Sequence, residues 1–425
     1  MARGARHDPP IRRVAIDGGA PIALPAPPGD PEAAARSEPY WAAFADLYDP
    51  SPDVIDLEYG YGGVCARPVL DRYLGHVTRL NRHGAHYHRT AAADDLRAVH
   101  GRIARALGAE PAEIALTRGA GDAMLRLIAG YNRLRPGDGV LHADLDYDAM
   151  QAAMARLADL RGARVFKIAL PEPATRQGLI DAYDKALADN PSIRLVLLTR
   201  VSHRTGLILP TRDIAALARA RRADVLVDAA HAWGQVDGGV ADIGADFIGF
   251  TLHKWIGAPQ GVGVLYCRQD RIGDIDPDLG ADPAAADDIQ SRCHLGTPWM
   301  PAILSAPAAL DLHEAIGLQS KRARLRYLRT LWTEALRDHP DIHILTPSDP
   351  ALSAGVAAFR LRSASSLADN GAVAQRLLAD HAILTVARDG PVGGACVRVT
   401  PAPHTPADHL RTLASALMSM RPPKS

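Results

Sequence analysis

The sequence predicts an α/β protein in which a large unit built on a mostly parallel sheet is joined to a smaller α+β unit. Three observations predict it. Short β-branched or Leu-rich runs alternate with Ala/Arg/Leu segments of helical period between about residues 50 and 300. The runs are continuously apolar, as in strands covered on both faces. After a Pro/Asp-rich stretch at 273–288 the alternation stops and a different, mixed pattern follows.

In chain order, residues 1–45 read as an N-terminal arm that also contributes to the smaller unit, with a Pro-rich stretch at 21–31. The large unit, 46–305, pairs "EIALT" with "AMLRLIAGYNRL", "GVLHADL" with "AMQAAMARLADLRG" and "RLVLLTRV" with "TRDIAALARARR", and closes with "DVLVDAAH" and "DFIGFTLHK". Each pair is a strand followed by a helix. Residues 306–425 form the smaller unit. Within it, "SKRARLRYLRTLWTEALRDHP" sets Leu325, Leu328, Leu331, Trp332 and Leu336 at helical spacing with arginines opposite. That predicts an amphipathic helix with a solvated basic face. The closing "RPPKS" reads as a frayed tail.

Composition excludes several classes of function. The 425 residues are 47% hydrophobic, enough for a well-packed core, and carry 48 basic and 48 acidic side chains. Such a balance gives no field that favours nucleic acid or an anionic membrane, so the expected partners are small molecules or further copies of the chain. Cys65, Cys267, Cys293 and Cys396 lack the paired spacing of a zinc site or a disulfide framework, which fits a reducing cytoplasm. A twin arginine near the start is followed by Asp, Gly and Pro where an export signal needs an apolar region. No apolar run reaches the roughly 18 residues of a membrane span.

The chemistry sits at strand ends. Lysine is scarce, limited to Lys167, Lys185, Lys254, Lys321 and Lys424, yet Lys254 stands in "TLHKWIGAPQGVG", between a histidine and a tryptophan and ahead of a Gly/Pro-rich turn. In "VLVDAAHAWGQ", Asp228 closes an apolar strand and His231 follows at the carboxyl edge, where open α/β sheets bind ligands. "ALTRGAGDAML" runs strand, Gly-rich turn, helix, an arrangement whose backbone N–H groups hold a phosphate. A lysine, a carboxylate and an anion site are what pyridoxal phosphate requires, together with a group stacked on its ring.

At these residues the sequence resembles a known family. "DAAHAWGQVDGGVADIGADFIGFTLHKWIGAPQGVGVLY" is similar to the class V aminotransferase signature of fold-type I pyridoxal phosphate enzymes, within it to the isopenicillin N epimerase-like branch, and more distantly to cysteine desulfurases and kynureninase. The resemblance implies an aspartate aminotransferase-like fold. It also implies that Lys254 carries the cofactor as a Schiff base and that Asp228 pairs with the pyridine nitrogen. Thr251 and His253, with the turn at Gly119, Ala120 and Gly121, would bind the phosphate. Tyr147 in "DLDYDAM" would stack on the ring, and His203 in "RVSHRTG" and His231 would lie near its phenolic oxygen. Thr297 in "LGTPW" would reach the second subunit's phosphate, implying a homodimer with shared sites. "VARDGPVGGACVRVTP" offers Arg398 and Arg388 as the clamp for a substrate carboxylate, with Arg89 in "HYHR" as the next candidate.

Two departures shape the expected reaction. "RGAGDA" leaves mainly backbone donors in the phosphate loop, and Gly393 and Gly394 stand near the place of the reactive desulfurase cysteine, with Cys396 two residues before Arg398. Persulfide chemistry is thereby disfavoured, and the resemblance to the epimerase-like branch, which includes enzymes of specialised metabolism acting on S-cysteinyl conjugates, implies a lyase or related reaction on such a conjugate, by carbon–sulfur β-elimination or by decarboxylation with oxidative deamination. An amino-acid epimerase or an aminotransferase is the alternative. Taken singly, Asp228 also fits a capping role and the two histidines fit satisfied core positions. A nucleotide-binding dehydrogenase is disfavoured because "RGAGDAM" puts Met124 where a third glycine belongs. No metal is expected, since "HYHR" has no further ligand at matching spacing.

Overall fold

The computed structural model describes residues 11–18, 21–26, 29–363 and 365–420. Residues 1–10, which carry part of the export-signal reading, and the "RPPKS" end lie outside the described residues. The centre of the molecule is a seven-stranded sheet in the spatial order Ile114–Thr117, Gly263–Cys267, Phe247–Thr251, Asp224–Asp228, Ile193–Thr199, Gly139–Ala143, Arg164–Ile168. Neighbours are parallel except that Gly263–Cys267 runs antiparallel to both strands beside it. This is the mostly parallel sheet expected from the continuous apolar runs.

Two faces account for that pattern. Leu195 and Leu197 enter a cluster with Met124, Met154 and Leu157, while Val196 and Leu198 enter another with Ile214 and Ile243 on the opposite side. Period-2 alternation therefore produces no polar face, because helices cover both. The edge strand Arg164–Ile168 is the exception: it is largely exposed, and its "RVFKI" sequence lacks the apolar run that marks the others.

The smaller unit carries a four-stranded antiparallel sheet in the order Ile342–Ile344, Ala357–Leu361, Cys396–Val399, Val386–Arg388. Its core joins Phe359, Leu377, Val397 and Leu413 to Leu328 and Trp332 of the helix Leu318–Leu336. Ile55–Asp56 pairs in parallel with Ile383–Leu384, and Leu57 is buried in the same core. That pairing delivers Glu58 to the junction of the two units.

The helix Leu318–Leu336 forms where the spacing predicts it, but much of its basic face is withdrawn from solvent. Lys321, Arg324 and Arg329 are all buried. The helix packs against Pro31–Arg36 and Ala407–Ser419, and Arg324 donates to the carbonyls of Ala35 and Thr405 at 2.9 Å each and to Glu38 at 2.6 Å. Carbonyls and a carboxylate from its neighbours substitute for water around the guanidinium. Among the described residues no helix is long and apolar enough to cross a membrane, and no group of three or more His, Cys, Asp or Glu side chains is arranged to hold a metal ion.

Candidate active site

The carboxyl ends of the central strands converge on a cavity of about 330 Å³. Ile114–Thr117 turns at Arg118 and Gly119 into the helix Ala120–Gly130, whose first amides open onto the cavity. Thr117 Oγ1 ties the turn down by donating to the Gly119 carbonyl at 3.0 Å. Asp122 takes no part in the cavity, because its carboxylate accepts from Arg118 N and Arg126 Nε. Gly263, on the antiparallel strand, has a close-approach role: a Cβ there would sit 2.4 Å from Gly119 Cα. Only glycine lets the turn pack against that strand.

Across from this turn, Thr251 ends its strand and its Oγ1 lies 2.8 Å from His253 Nδ1. Burial, with Lys254 nearby, pushes His253 down to about 4, so its ring is neutral. Asp228 ends the neighbouring strand and accepts the Ala230 N–H at 2.9 Å. Its pKa is raised by burial, against the opposing pull of that hydrogen bond and of Lys254. An ionised carboxylate held in such a place gains from a cationic N–H partner.

Lys254 follows two residues beyond the strand end. Its Nζ lies 2.9 Å from His231 Nε2, and burial lowers its pKa to about 8, with Asp228 opposing the shift. His231 Nδ1 accepts from the Trp255 indole N–H at 3.3 Å. Burial and then the Lys254 charge hold His231 well below its usual range. Lys321, also buried and pushed down to about 7, faces away and donates to the Trp255 carbonyl.

The mouth is built from more distant pieces. Tyr147, 43% exposed, stands edge-to-face with His203 at a centroid separation of 5.1 Å. His203 is buried, its pKa is depressed by burial and by Arg204, and its Nδ1 has no hydrogen-bond partner. Arg204 ties the Tyr147 loop to the arginine loop, donating to the carbonyls of Asp144 and Asp389. Arg398 is held by an internal carboxylate: its Nε donates to Glu58 Oε2 at 3.2 Å, its Nη2 to Oε1, and its Nη1 to the His203 carbonyl at 2.8 Å. Arg388 Nη2 reaches the same Glu58 at 3.2 Å.

Of the residues singled out in the sequence, Gly119, Ala120, Gly121, Tyr147, His203 and Asp228 line this one cavity, as do His231, Thr251, His253, Lys254, Arg388 and Arg398. Two do not. Arg89 is exposed near the end of the helix Arg67–Thr90, and Thr297 is exposed in a loop, both outside this chain's cavity. Among the groups that went unread are two that line the cavity, Gln260 and Thr199, and one, Glu58, that binds two of its arginines without lining it. Gln260 lies inside the quoted lysine segment but has no motif value. Thr199 is set beside Asp228 by strand pairing and donates to buried Asp146 at 2.7 Å. Glu58 meets its arginines only through the fold, and no local signal marks it.

The donor set fits pyridoxal phosphate. Helix-start amides, Thr251 and His253 form a cradle for a dianion, Asp228 offers a buried carboxylate, and Lys254 a depressed-pKa amine. The unpartnered Nδ1 of His203 is a buried polar atom that a bound group in this cavity would satisfy.

Comparison with known proteins agrees with this chemistry. The Aminotransferase class-V family model matches residues 66–407. Isopenicillin N epimerase of Streptomyces clavuligerus is 31% identical over 338 residues, covering 75% of this chain and 83% of the epimerase. A cysteine desulfurase of Haloferax volcanii is 27% identical over 294 residues, covering 66% of this chain and 67% of that enzyme. Among solved structures, the cysteine desulfurase of Thermococcus onnurineus superposes with a TM-score of 0.74 at 20% identity, covering 86% of this chain and 94% of that one. The fold is thus the one expected, and the chain belongs to the class-V aminotransferase family of pyridoxal phosphate enzymes.

Proposed function

We propose that the enzyme cleaves the carbon–sulfur bond of an S-cysteinyl conjugate by β-elimination, as a homodimer in the cytoplasm. When bound, pyridoxal phosphate supplies an electron sink for charge developing at the substrate α-carbon. Asp228 pairs with its ring nitrogen, Tyr147 covers its ring, and Thr251, His253 and the Gly119–Gly121 amides hold its phosphate. Thr297 completes the phosphate site of the second subunit. Arg388 and Arg398 orient the substrate carboxylate, which selects the α-bond that breaks. Lys254 takes the α-proton and delivers it to the departing sulfur, a role worth about 10²- to 10⁴-fold. The Cβ–S bond then breaks, the thiol leaves with a proton, and water converts the remaining 2-aminoacrylate to pyruvate and ammonium.

The observation that carries this reading is Cys396. It is fully buried, its Sγ sits 4.0 Å from the Arg204 carbonyl, and burial pushes its thiol up to about 12. Persulfide transfer needs an exposed, ionisable thiol, so sulfur chemistry here favours release of the leaving thiol over its capture by the enzyme. Epimerisation is the second reading, favoured by the similarity to isopenicillin N epimerase. Incubation with a panel of S-substituted cysteines separates these outcomes. Thiol, pyruvate and ammonium in equal amounts are expected. Inversion at the α-carbon without thiol release would establish the epimerase instead, a keto acid with an aminated acceptor would establish an aminotransferase, and aldehyde with carbon dioxide would establish decarboxylative oxidative deamination.

A further inference from the structure

The hydrogen bonds around His231 assign its protons. An indole N–H can only donate, so His231 Nδ1, 3.3 Å from Trp255 Nε1, must be an acceptor. Burial, and the positive charge of Arg398 and Arg388 nearby, keep the ring neutral. A neutral imidazole with an accepting Nδ1 carries its one proton on Nε2. That N–H points at Lys254 Nζ, 2.9 Å away, and an ammonium offers no lone pair to receive it. The two bonds are satisfied together when Lys254 is an unprotonated amine, a form that its depressed pKa of about 8 brings within reach near neutrality. Asp228 and Glu58, the carboxylates acting on Lys254, pull the other way, as their charges favour the ammonium.

The indole is itself immobilised. Trp255 is 1% exposed, its carbonyl is held by Lys321, and a Cβ at Gly234 would lie 2.7 Å from its backbone carbon. His231 is confined too: a Cβ at Gly60 would sit 3.3 Å from its Cε1, and Gln235 binds its carbonyl. We propose that Trp255 is a positioning residue that fixes His231 in the tautomer protonated on Nε2, and so favours the free-amine form of Lys254, which captures the cofactor aldehyde. The same lock means that His231 presents a donor to the cavity in every state of the enzyme. Replacing the indole by a ring without N–H lets the proton move to Nδ1, and Nε2 then accepts from an ammonium and stabilises it.

This inference rests on Lys254 being the reactive amine, which hydride trapping establishes separately, and its readouts do not depend on which substrate bond is broken. Full-length protein labelled with ¹⁵N-histidine, with its cofactor and stripped of it, reports the tautomer directly once the His231 signals are assigned by their loss in His231→Gln. Protonated Nε2 and unprotonated Nδ1 are expected in both forms. A proton on Nδ1, or on both nitrogens, overturns the proposal without any need for a variant at 255. Trp255→Phe keeps the bulk and removes the donor. In that variant Nδ1 should gain proton occupancy, and the midpoint for acylation of Lys254 in stripped protein, read from its peptide by mass spectrometry, should rise by about one pH unit, a roughly tenfold loss of free amine near neutrality. An unchanged tautomer and an unchanged midpoint would mean that Trp255 only fills space.

Discussion

At the floor of the cavity, Asp228, Thr251, His253 and Lys254 come from the ends of two adjacent strands, fixed by the ladder that pairs Asp228 with Gly249. At its mouth, Glu58 meets Arg398 across 340 positions of chain, and Arg398 reaches the His203 carbonyl across 195. The floor is one piece of sheet, while the mouth exists only when the smaller unit is docked and Ile55–Asp56 has paired with Ile383–Leu384. A division of labour follows. Damage to the floor should remove chemistry from a folded protein, whereas damage to the mouth should alter binding, selectivity and the union of the two units.

The largest expected effect is at the floor. Lys254→Ala should purify without the visible absorbance of the bound cofactor, lose turnover and keep the wild-type far-ultraviolet spectrum. Borohydride trapping that labels Lys321, the other buried lysine with a depressed pKa, would break the comparison at once.

Next come the two arginines, which sharpen the picture of the mouth. Arg398→Lys loses the fork that spans Glu58 and the His203 carbonyl, so it should destabilise the fold by on the order of 1–3 kcal/mol in denaturant titrations and also raise KM. Arg388, with its side chain 28% exposed, has less to lose. Arg388→Lys should raise KM with stability close to wild type. Equal stability losses in both variants would show that Glu58 draws its order from the two arginines alike.

A smaller effect is the pH dependence of the stripped protein. Lys254 has a folded pKa of about 8, below its usual 10.5. Between those values the unfolded chain binds more protons, so this group makes the folded state more stable as pH rises from about 8 to about 10.5, while below 8 its full penalty applies. The wild type minus Lys254→Met difference in unfolding free energy should move in that direction by on the order of 1–3 kcal/mol. A flat difference would mean that the amine is not desolvated. The smallest expected effect is none at all. Arg89→Ala should leave kcat and KM unchanged, since Arg89 lies outside the cavity, and a raised KM would bring a second subunit into the mouth.

The same contrast explains what could be read from the sequence. Asp228, His231, Thr251 and Lys254 stand in one 27-residue stretch whose strand pattern fixes their direction, so motif and fold were legible together. The phosphate turn was legible because Gly119 and Gly121 flank a strand-to-helix switch. Glu58 was not, because its partners are chosen by packing between units and "LEYGYGG" carries no mark of it. The basic face of Leu318–Leu336 misled for a related reason. Helical spacing locates a stripe of arginines but says nothing about whether water or neighbouring carbonyls will surround them, and Arg324 took the carbonyls. The largely exposed edge strand Arg164–Ile168 escaped because only burial on both faces writes a continuous apolar run.

The antiparallel strand Gly263–Cys267 also sets the order in which a growing chain can become functional. Ile114–Thr117 carries the phosphate turn and Phe247–Thr251 leads to Lys254, and neither bonds to the other, since both pair only through the strand between them. A nascent polypeptide that has not yet emerged past Cys267 thus holds the phosphate turn on a strand with no ladder to the rest of the sheet, joined to the lysine strand only by the packing of the helix Ala120–Gly130. Cofactor capture is deferred until that late wedge arrives, and a ribosome-stalled chain ending at residue 262 should fail to retain pyridoxal phosphate, however complete its earlier strands are.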